Sequence, residues 1–185
     1  THPKDQGYGR FYGDVTCYLG FNSYRESGKT MGLASFGNSE RLSQYKPFDV
    51  NEFGEAISAL RDVDYTKDNT KDLKAWFKSQ GLDIPERRTK DSIIRPFDMD
   101  LAAWAQDQLE QSINLRVKGL VKKYGIDTVC LTGGVAMNSV MNRSMEEQLG
   151  LNVYVPPSAR SRVTADVPKP SNLYLLPESE TTVTV

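Results

Sequence analysis

The residues with the clearest chemical potential are Gly133, Gly134 and Asn138, in the run Leu131-Thr132-Gly133-Gly134-Val135-Ala136-Met137-Asn138. A strand, a glycine pair and a helix start, in that order, let backbone N–H groups approach a phosphate or ribose, while the helix N-terminus favours negative charge. Asn138 would stand about one turn into that helix, with a polar side chain for the same ligand. A tight strand-to-helix turn whose glycines serve only the backbone has the same spacing, and spacing alone leaves both readings open.

A second candidate is Glu26-Ser27-Gly28-Lys29-Thr30-Met31-Gly32, which contains the letters of a phosphate-binding loop. Such a loop needs a further glycine five residues before its Gly-Lys pair, and position 23 is Ser, with no hydrophobic strand leading in. Lys29 remains as a charge for an anionic ligand, against the alternative of an ordinary exposed lysine. The single histidine, His2, sits in a polar terminus, so a hydrolytic triad or a multi-histidine metal site finds no imidazole in the interior of the sequence. Asp98, Asp100, Asp107 and Glu110 are spaced for capping and solvent exposure rather than for paired acid–base work. The pair Arg87-Arg88 reads as a solvated face rather than a phosphate site.

The elements that must position these groups follow from periodicity. Phe11, Val15, Tyr18 and Leu19 lie on one face of a short helix that Gly20 stops. From Ser27 to Gly37, three glycines among small and apolar residues predict backbone packed closely against a core or ligand. The stretch 38–97 alternates polar runs, prolines and charge clusters, and reads as a peripheral insertion with a short helix around 72–80. A long helix over 98–124 carries the stripe Leu101, Ala105, Leu109, Ile113, Val117, Leu120 and Val121, with Asp98 or Asp100 as its N-cap. Thr128-Val129-Cys130-Leu131 reads as a buried strand, 135–149 as a helix with Val140, Met141 and Met145 inward, and Val153-Tyr154-Val155 as a second strand. That order implies a parallel sheet of the α/β class. Residues 1–159 form the expected domain and 160–185 a loose tail. Phe11, Tyr12, Tyr18 and Trp104 are expected in the core rather than as a stacking platform.

The chain has 185 residues, 23 basic against 24 acidic, and 38% hydrophobic residues. Balanced charge argues against a nucleic-acid partner, and no run reaches the roughly 18 apolar residues of a membrane helix. No signal-peptide core is read at the N-terminus, and Cys17 and Cys130 read as buried free thiols, so a cytoplasmic location is expected.

Taken together, Gly9-Arg10-Phe11-Tyr12-Gly13 through Tyr18-Leu19-Gly20-Phe21, then Gly28-Lys29-Thr30-Met31-Gly32-Leu33-Ala34-Ser35-Phe36-Gly37, resemble the O-carbamoyltransferases of the nodulation and antibiotic-biosynthesis type. Asp100 to Glu110 looks like that family's D-x-A-x-x-x-Q-x-x-L-E, and Leu131 to Asn138 its L-x-G-G-V-A-L-N, with Met137 in place of Leu. The resemblance runs from about Gly7 to Ala159. It implies the second lobe of an actin/hexokinase-like (ASKHA) fold, ATP and carbamoyl phosphate as substrates, a carbamoyl-adenylate intermediate, and transfer to the hydroxyl of a small molecule. By the same resemblance, Gly133, Gly134 and Asn138 contact the adenylate, and Lys29 and Gly32 line the same cleft.

Relatives place metal-binding histidines upstream and a G-D-A-G stretch after P-P-x-A, whereas here Pro156-Pro157-Ser158-Ala159 is followed by Arg160-Ser161-Arg162. The expectation is a member truncated at both ends and inactive alone. In it, the ligands for a divalent metal (iron or magnesium) and the adenylate-forming domain belong to a missing lobe or partner chain. The alternatives are a tRNA threonylcarbamoyl-transfer-type lobe, which shares the G-G-V-A-x-N element, and a non-catalytic interaction module.

Overall fold

A computed structural model describes residues 7–21, 24–51, 56–58 and 70–157. Five helices and four short strands follow in the order α1 (Tyr8–Tyr18), α2 (Ser27–Ala34), β1 (Phe48–Val50), β2 (Ala56–Ser58), α3 (Thr70–Ser79), α4 (Pro96–Tyr124), β3 (Thr128–Cys130), α5 (Ser139–Leu149) and β4 (Asn152–Tyr154). Strands β1 and β2 pair antiparallel, with Asp49 opposite Ile57, and β3 and β4 pair parallel, with Val129 opposite Val153. This is a mixed α/β arrangement, rich in helix, with a small parallel sheet of the kind the strand–helix–strand order predicts.

Helix α4 is the axis of the structure. Leu101, Ala105, Leu109, Ile113 and Val117, four residues apart, are all buried and make the predicted stripe, while Leu120 and Val121 are only partly covered. On the same helix Trp104 is fully buried and packs its ring against Phe11 of α1 (5.5 Å between centroids) and Phe77 of α3 (5.0 Å). Phe48 of β1 closes the group against Phe11 at 5.0 Å. Tilted and edge-to-face pairs of this kind contribute about 0.5–1.5 kcal/mol each beyond simple burial, so aromatic packing locks α1, α3 and β1 onto α4. Phe11, Tyr12, Tyr18 and Trp104 are core residues, as expected. The segment 38–97 supplies Leu42, Phe48, Leu73, Phe77 and Ile84 to this same core.

Several local expectations are revised. The long helix begins at Pro96 with Arg95 as its cap, so Asp98 and Asp100 lie inside the first turns rather than at the cap. Proline suits the first helical position because its missing N–H has no partner there in any case. Asp98 reaches back from the third position to accept the Arg95 backbone N–H at 2.7 Å. Both carboxylates are buried rather than solvated. Asp98 pairs with the Arg95 guanidinium at 2.7 Å, and Asp100 accepts from Arg41 at 2.7 Å and from the Asn38 N–H at 2.8 Å. Arg88, read as a solvated charge, is buried and donates to the carbonyls of Leu19, Lys90 and Ser92, tying the end of α1 to the 88–92 turn.

Of the glycines between Ser27 and Gly37, only Gly37 meets close backbone. A Cβ there would fall 2.0 Å from the Met99 carbonyl oxygen, whereas Gly28 and Gly32 face open space. The short strand β3 buries Val129 alone, with Thr128 and Cys130 exposed, because a two-stranded sheet covers one face only. Both cysteines are free thiols, but Cys17 is half-buried and Cys130 exposed. The predicted helix over 135–149 is two elements, a 3-10 turn at Gly134–Met137 and then α5. The break at Asn138 rotates the register, leaving Met141 and Met145 buried and Val140 exposed. The expected tail over 160–185 lies outside the described residues.

Candidate functional site

A cleft of about 960 Å³ opens where α1, α2 and the turn between β3 and α5 converge. Its volume is at the upper end of what small-molecule sites use. Helix α1 contributes Gly9, Arg10 and Tyr12, α2 and the short turn before it contribute Arg25, Ser27, Gly28 and Met31, and the turn contributes Gly134, Val135, Met137 and Asn138.

The sequence builds each wall locally. Gly133 sits at φ +91°, ψ 178°, a conformation open essentially to glycine alone, and this lets the chain leave β3 and wind at once into the 3-10 turn. Gly134 has nothing within 4 Å of where a Cβ would project, so its backbone borders free space. At Gly9 a Cβ would lie 3.1 Å from a Val135 methyl, so the missing side chain lets α1 approach the turn. Helix α2 is fixed to α1 by the buried hydroxyls of Thr16 and Thr30, 2.9 Å apart. Because the Thr16 hydroxyl donates to the Tyr12 carbonyl at 2.7 Å, Thr30 is the donor within that pair.

Asn138 caps α5, its Oδ1 accepting the Met141 N–H at 3.0 Å. Its carboxamide also pairs with Gln106 of α4. Asn138 Nδ2 donates to Gln106 Oε1 at 2.9 Å, and Gln106 Nε2 donates to Asn138 Oδ1 at 3.2 Å. Gln106 further accepts from the Tyr12 hydroxyl at 2.8 Å and donates to Glu110 at 2.7 Å. Burial pushes the Tyr12 phenol pKa upward, the Glu110 charge adds to that shift, and the Asn138 amide opposes it.

Of the residues singled out from sequence, Gly134 and Asn138 line the cleft and Gly133 shapes the turn. Lys29 and Gly32 are exposed on α2 and do not line it. Lys29 pairs instead with Glu26 one turn earlier, its ammonium 5.8 Å from the centre of the Phe21 ring. The residues that sequence reasoning missed are Arg10, Arg25, Tyr12, Gln106 and Glu110. Gln106 and Glu110 stand in the Asp100–Glu110 motif, but their spacing to Asn138 exists only once α4 and the turn are packed together. Arg10 and Arg25 put positive charge at the cleft, with Arg10 held 3.1 Å from Asp14. Glycine-bordered backbone, two arginines, a helix start and a carboxamide suit an anionic ligand with polar edges. Among the described residues no three His, Cys, Asp or Glu side chains gather to hold a metal ion, so no step through a metal can be built on them. Nor is any described helix long and apolar enough to cross a membrane.

The class of protein these features define is a mixed α/β domain with an open cleft beside a strand–glycine–helix turn. Residues 3–165 match the family model described as carbamoyltransferase N-terminus, and the chain belongs to that family. It is similar to an uncharacterized protein of Methanocaldococcus jannaschii, 28% identical over 155 residues that make up 80% of this chain and 26% of that protein. It is also similar to an uncharacterized protein of Synechocystis sp., 27% identical over 154 residues, 82% of this chain and 25% of that one. The chain thus spans about a quarter of the length of the curated relatives it matches.

Proposed function

We propose that this chain is the nucleotide-binding lobe of an ATP-dependent O-carbamoyltransferase, holding a carbamoyl-adenylate made from carbamoyl phosphate and ATP with loss of phosphate and pyrophosphate, while its carbamoyl group passes to the hydroxyl of a small molecule and AMP leaves. In the proposal the lobe is of the actin/hexokinase type, acts in the cytoplasm and works with a further lobe or partner chain. The observation that carries it is the cleft bordered by Gly134 and Asn138 in a chain of the carbamoyltransferase N-terminal family.

The chemistry agrees with the groups present. Attack of a hydroxyl on a carbamoyl mixed anhydride needs the anhydride held and its carbonyl polarised more than it needs a protein nucleophile. Backbone N–H groups at the Gly134 turn and the charges of Arg10 and Arg25 supply binding and orientation, while Leu109 and Met31 exclude water from one side of the cleft. A divalent metal, iron or magnesium, belongs to the proposal only as a contribution of residues other than those described. Calorimetric titration of the chain with ATP tests the binding step. The expected result is micromolar-range affinity that Gly134→Val abolishes without changing thermal stability. Wild-type affinity retained in Gly134→Val would remove the site assignment. Transfer itself is read by isotopic carbamoyl transfer in the longer protein, with Asn138→Ala as the comparison.

A further inference from the structure

We propose that Gln106, anchored by Glu110, is a positioning residue that fixes the Asn138 carboxamide so that it meets the cleft ligand as an N–H donor beside the Tyr12 hydroxyl. The inference rests on the nucleotide reading of the cleft and concerns how one side of it recognises its ligand.

Gln106 is buried, 5% exposed, so water cannot replace its partners. All four of its bonding positions are filled. The two amide hydrogens go to Glu110 Oε1 and Asn138 Oδ1, and the carbonyl oxygen accepts from Tyr12 and from Asn138 Nδ2. At each end of this chain of bonds stands a group of fixed polarity. The Met141 backbone N–H can only donate to Asn138, and a carboxylate at Glu110 can only accept from Gln106. The two carboxamides between them therefore have one permitted orientation.

In that orientation Asn138 has both oxygen lone pairs and one amide hydrogen committed, and what it has left is an N–H. Tyr12 spends its own hydrogen on Gln106, which leaves its oxygen as an acceptor. Asn138 and Tyr12 both line the cleft, and the amide interacts with the phenol oxygen, so a ligand would take up this donor and acceptor by replacing their contact with each other. A donor beside an acceptor is complementary to a ligand group that itself accepts and donates, a sugar hydroxyl or an amino-bearing edge. A bare phosphate, which at neutral pH offers chiefly acceptors, matches only half of the pair. The groups of the ligand chosen here are thus those of a nucleoside.

The test is calorimetric titration of the whole chain with ATP and with uncharged adenosine, comparing wild type, Gln106→Met, Asn138→Asp and the double variant. Asp retains the cap of α5, since it still accepts from Met141, but removes the donor. The expected result is about tenfold weaker binding of both ligands in Gln106→Met, the loss expected for one misplaced polar contact. The double variant is expected to bind no more weakly than Asn138→Asp alone, because Gln106 acts through Asn138. Unfolding measured on the same preparations separates this from a purely structural role, which would lower stability and leave the affinity of the folded protein at the wild-type level. Wild-type binding left unchanged by Gln106→Met overturns the positioning role and leaves the nucleotide reading standing. Absence of any binding by wild type overturns the nucleotide reading, and the inference with it. Should Gln106→Met fail to fold, Glu110→Gln at its half-buried position removes the acceptor-only anchor. Severalfold weaker adenosine binding then supports the relay, and unchanged binding overturns it.

Discussion

Asn138 and Gln106 pair their carboxamides head to tail, 2.9 Å in one direction and 3.2 Å in the other, across 32 residues of sequence. The pair joins the cap of α5 to the middle of α4, so one side chain both starts a helix and fixes where the glycine turn sits. Asn138→Ala removes the cap and leaves a buried Gln106 with two unpaired positions. The expected loss is about 2–3 kcal/mol, the sum of a cap and an unmade buried hydrogen bond. Urea unfolding followed by the fluorescence of Trp76 and Trp104 measures it, and a loss under about 0.5 kcal/mol would mean that the pair contributes little to the fold.

Gly133 and Gly134 are adjacent but should respond oppositely to substitution. Gly133→Ala forces a side chain into φ +91°, and the expected destabilisation is about 1–3 kcal/mol. Gly134→Ala meets nothing within 4 Å, so stability should stay within about 0.5 kcal/mol of wild type while ligand affinity falls. The two losses are separated by measuring unfolding and ATP titration on the same preparations. Equal destabilisation by both variants would contradict the open space at Gly134.

The period of four along α4 and the parallel order of β3 and β4 were legible because burial of one helical face and right-handed crossover act through the sequence directly. Gly134 and Asn138 were legible for the same reason, since a strand, a glycine pair and a helix start make a local pattern. The site's other half was not. Tyr12, Gln106 and Glu110 reach Asn138 through packing of α1 and α4, and no spacing within either helix encodes that contact. Lys29 was expected at the cleft through the family resemblance, not through its phosphate-loop letters, and the folded helix exposes it and places Glu26 one turn away to take its charge. Arg88 shows the opposite. Two adjacent arginines suggest a solvated face, yet the carbonyls left open at the end of α1 draw one of them inward.

The ion pair of Asp98 with Arg95 gives a stability test remote from the cleft. Asp98 is fully buried and accepts three bonds from Arg95, at 2.7 Å from the backbone N–H, 2.9 Å from Nε and 2.7 Å from Nη2. Removing the acid leaves a part-buried guanidinium and an open helix start. Asp98→Ala should cost about 2–4 kcal/mol, scaled down from a fully buried pair because Arg95 is 36% exposed on its side chain. Chemical denaturation gives the value directly, and ATP affinity of the folded variant should stay at the wild-type level. A change in affinity without a change in stability would reverse the assignment of this pair to the scaffold.

Three buried phenols, Tyr8, Tyr12 and Tyr18, are raised by burial and bear on how the fold answers alkali. Burial, with the nearby Glu86 charge, pushes Tyr18 from its ordinary 10.0 up to about 12, and burial with Glu110 also raises Tyr12. The neutral Tyr18 hydroxyl donates to the Pro85 carbonyl, a bond the ionised form cannot make. A raised pKa in the folded state means that the unfolded chain releases its proton first as pH rises. The stabilisation is therefore fully present below about pH 10 and is lost as pH climbs from there through about 12. Phenolate absorbance should show these tyrosines titrating late, in step with the loss of folded signal rather than before it. Tyr18→Phe should start less stable at neutral pH yet lose stability less steeply above pH 10, so that the gap to wild type narrows. Parallel pH profiles for the two proteins would show that the Tyr18 phenol is not held neutral by the fold.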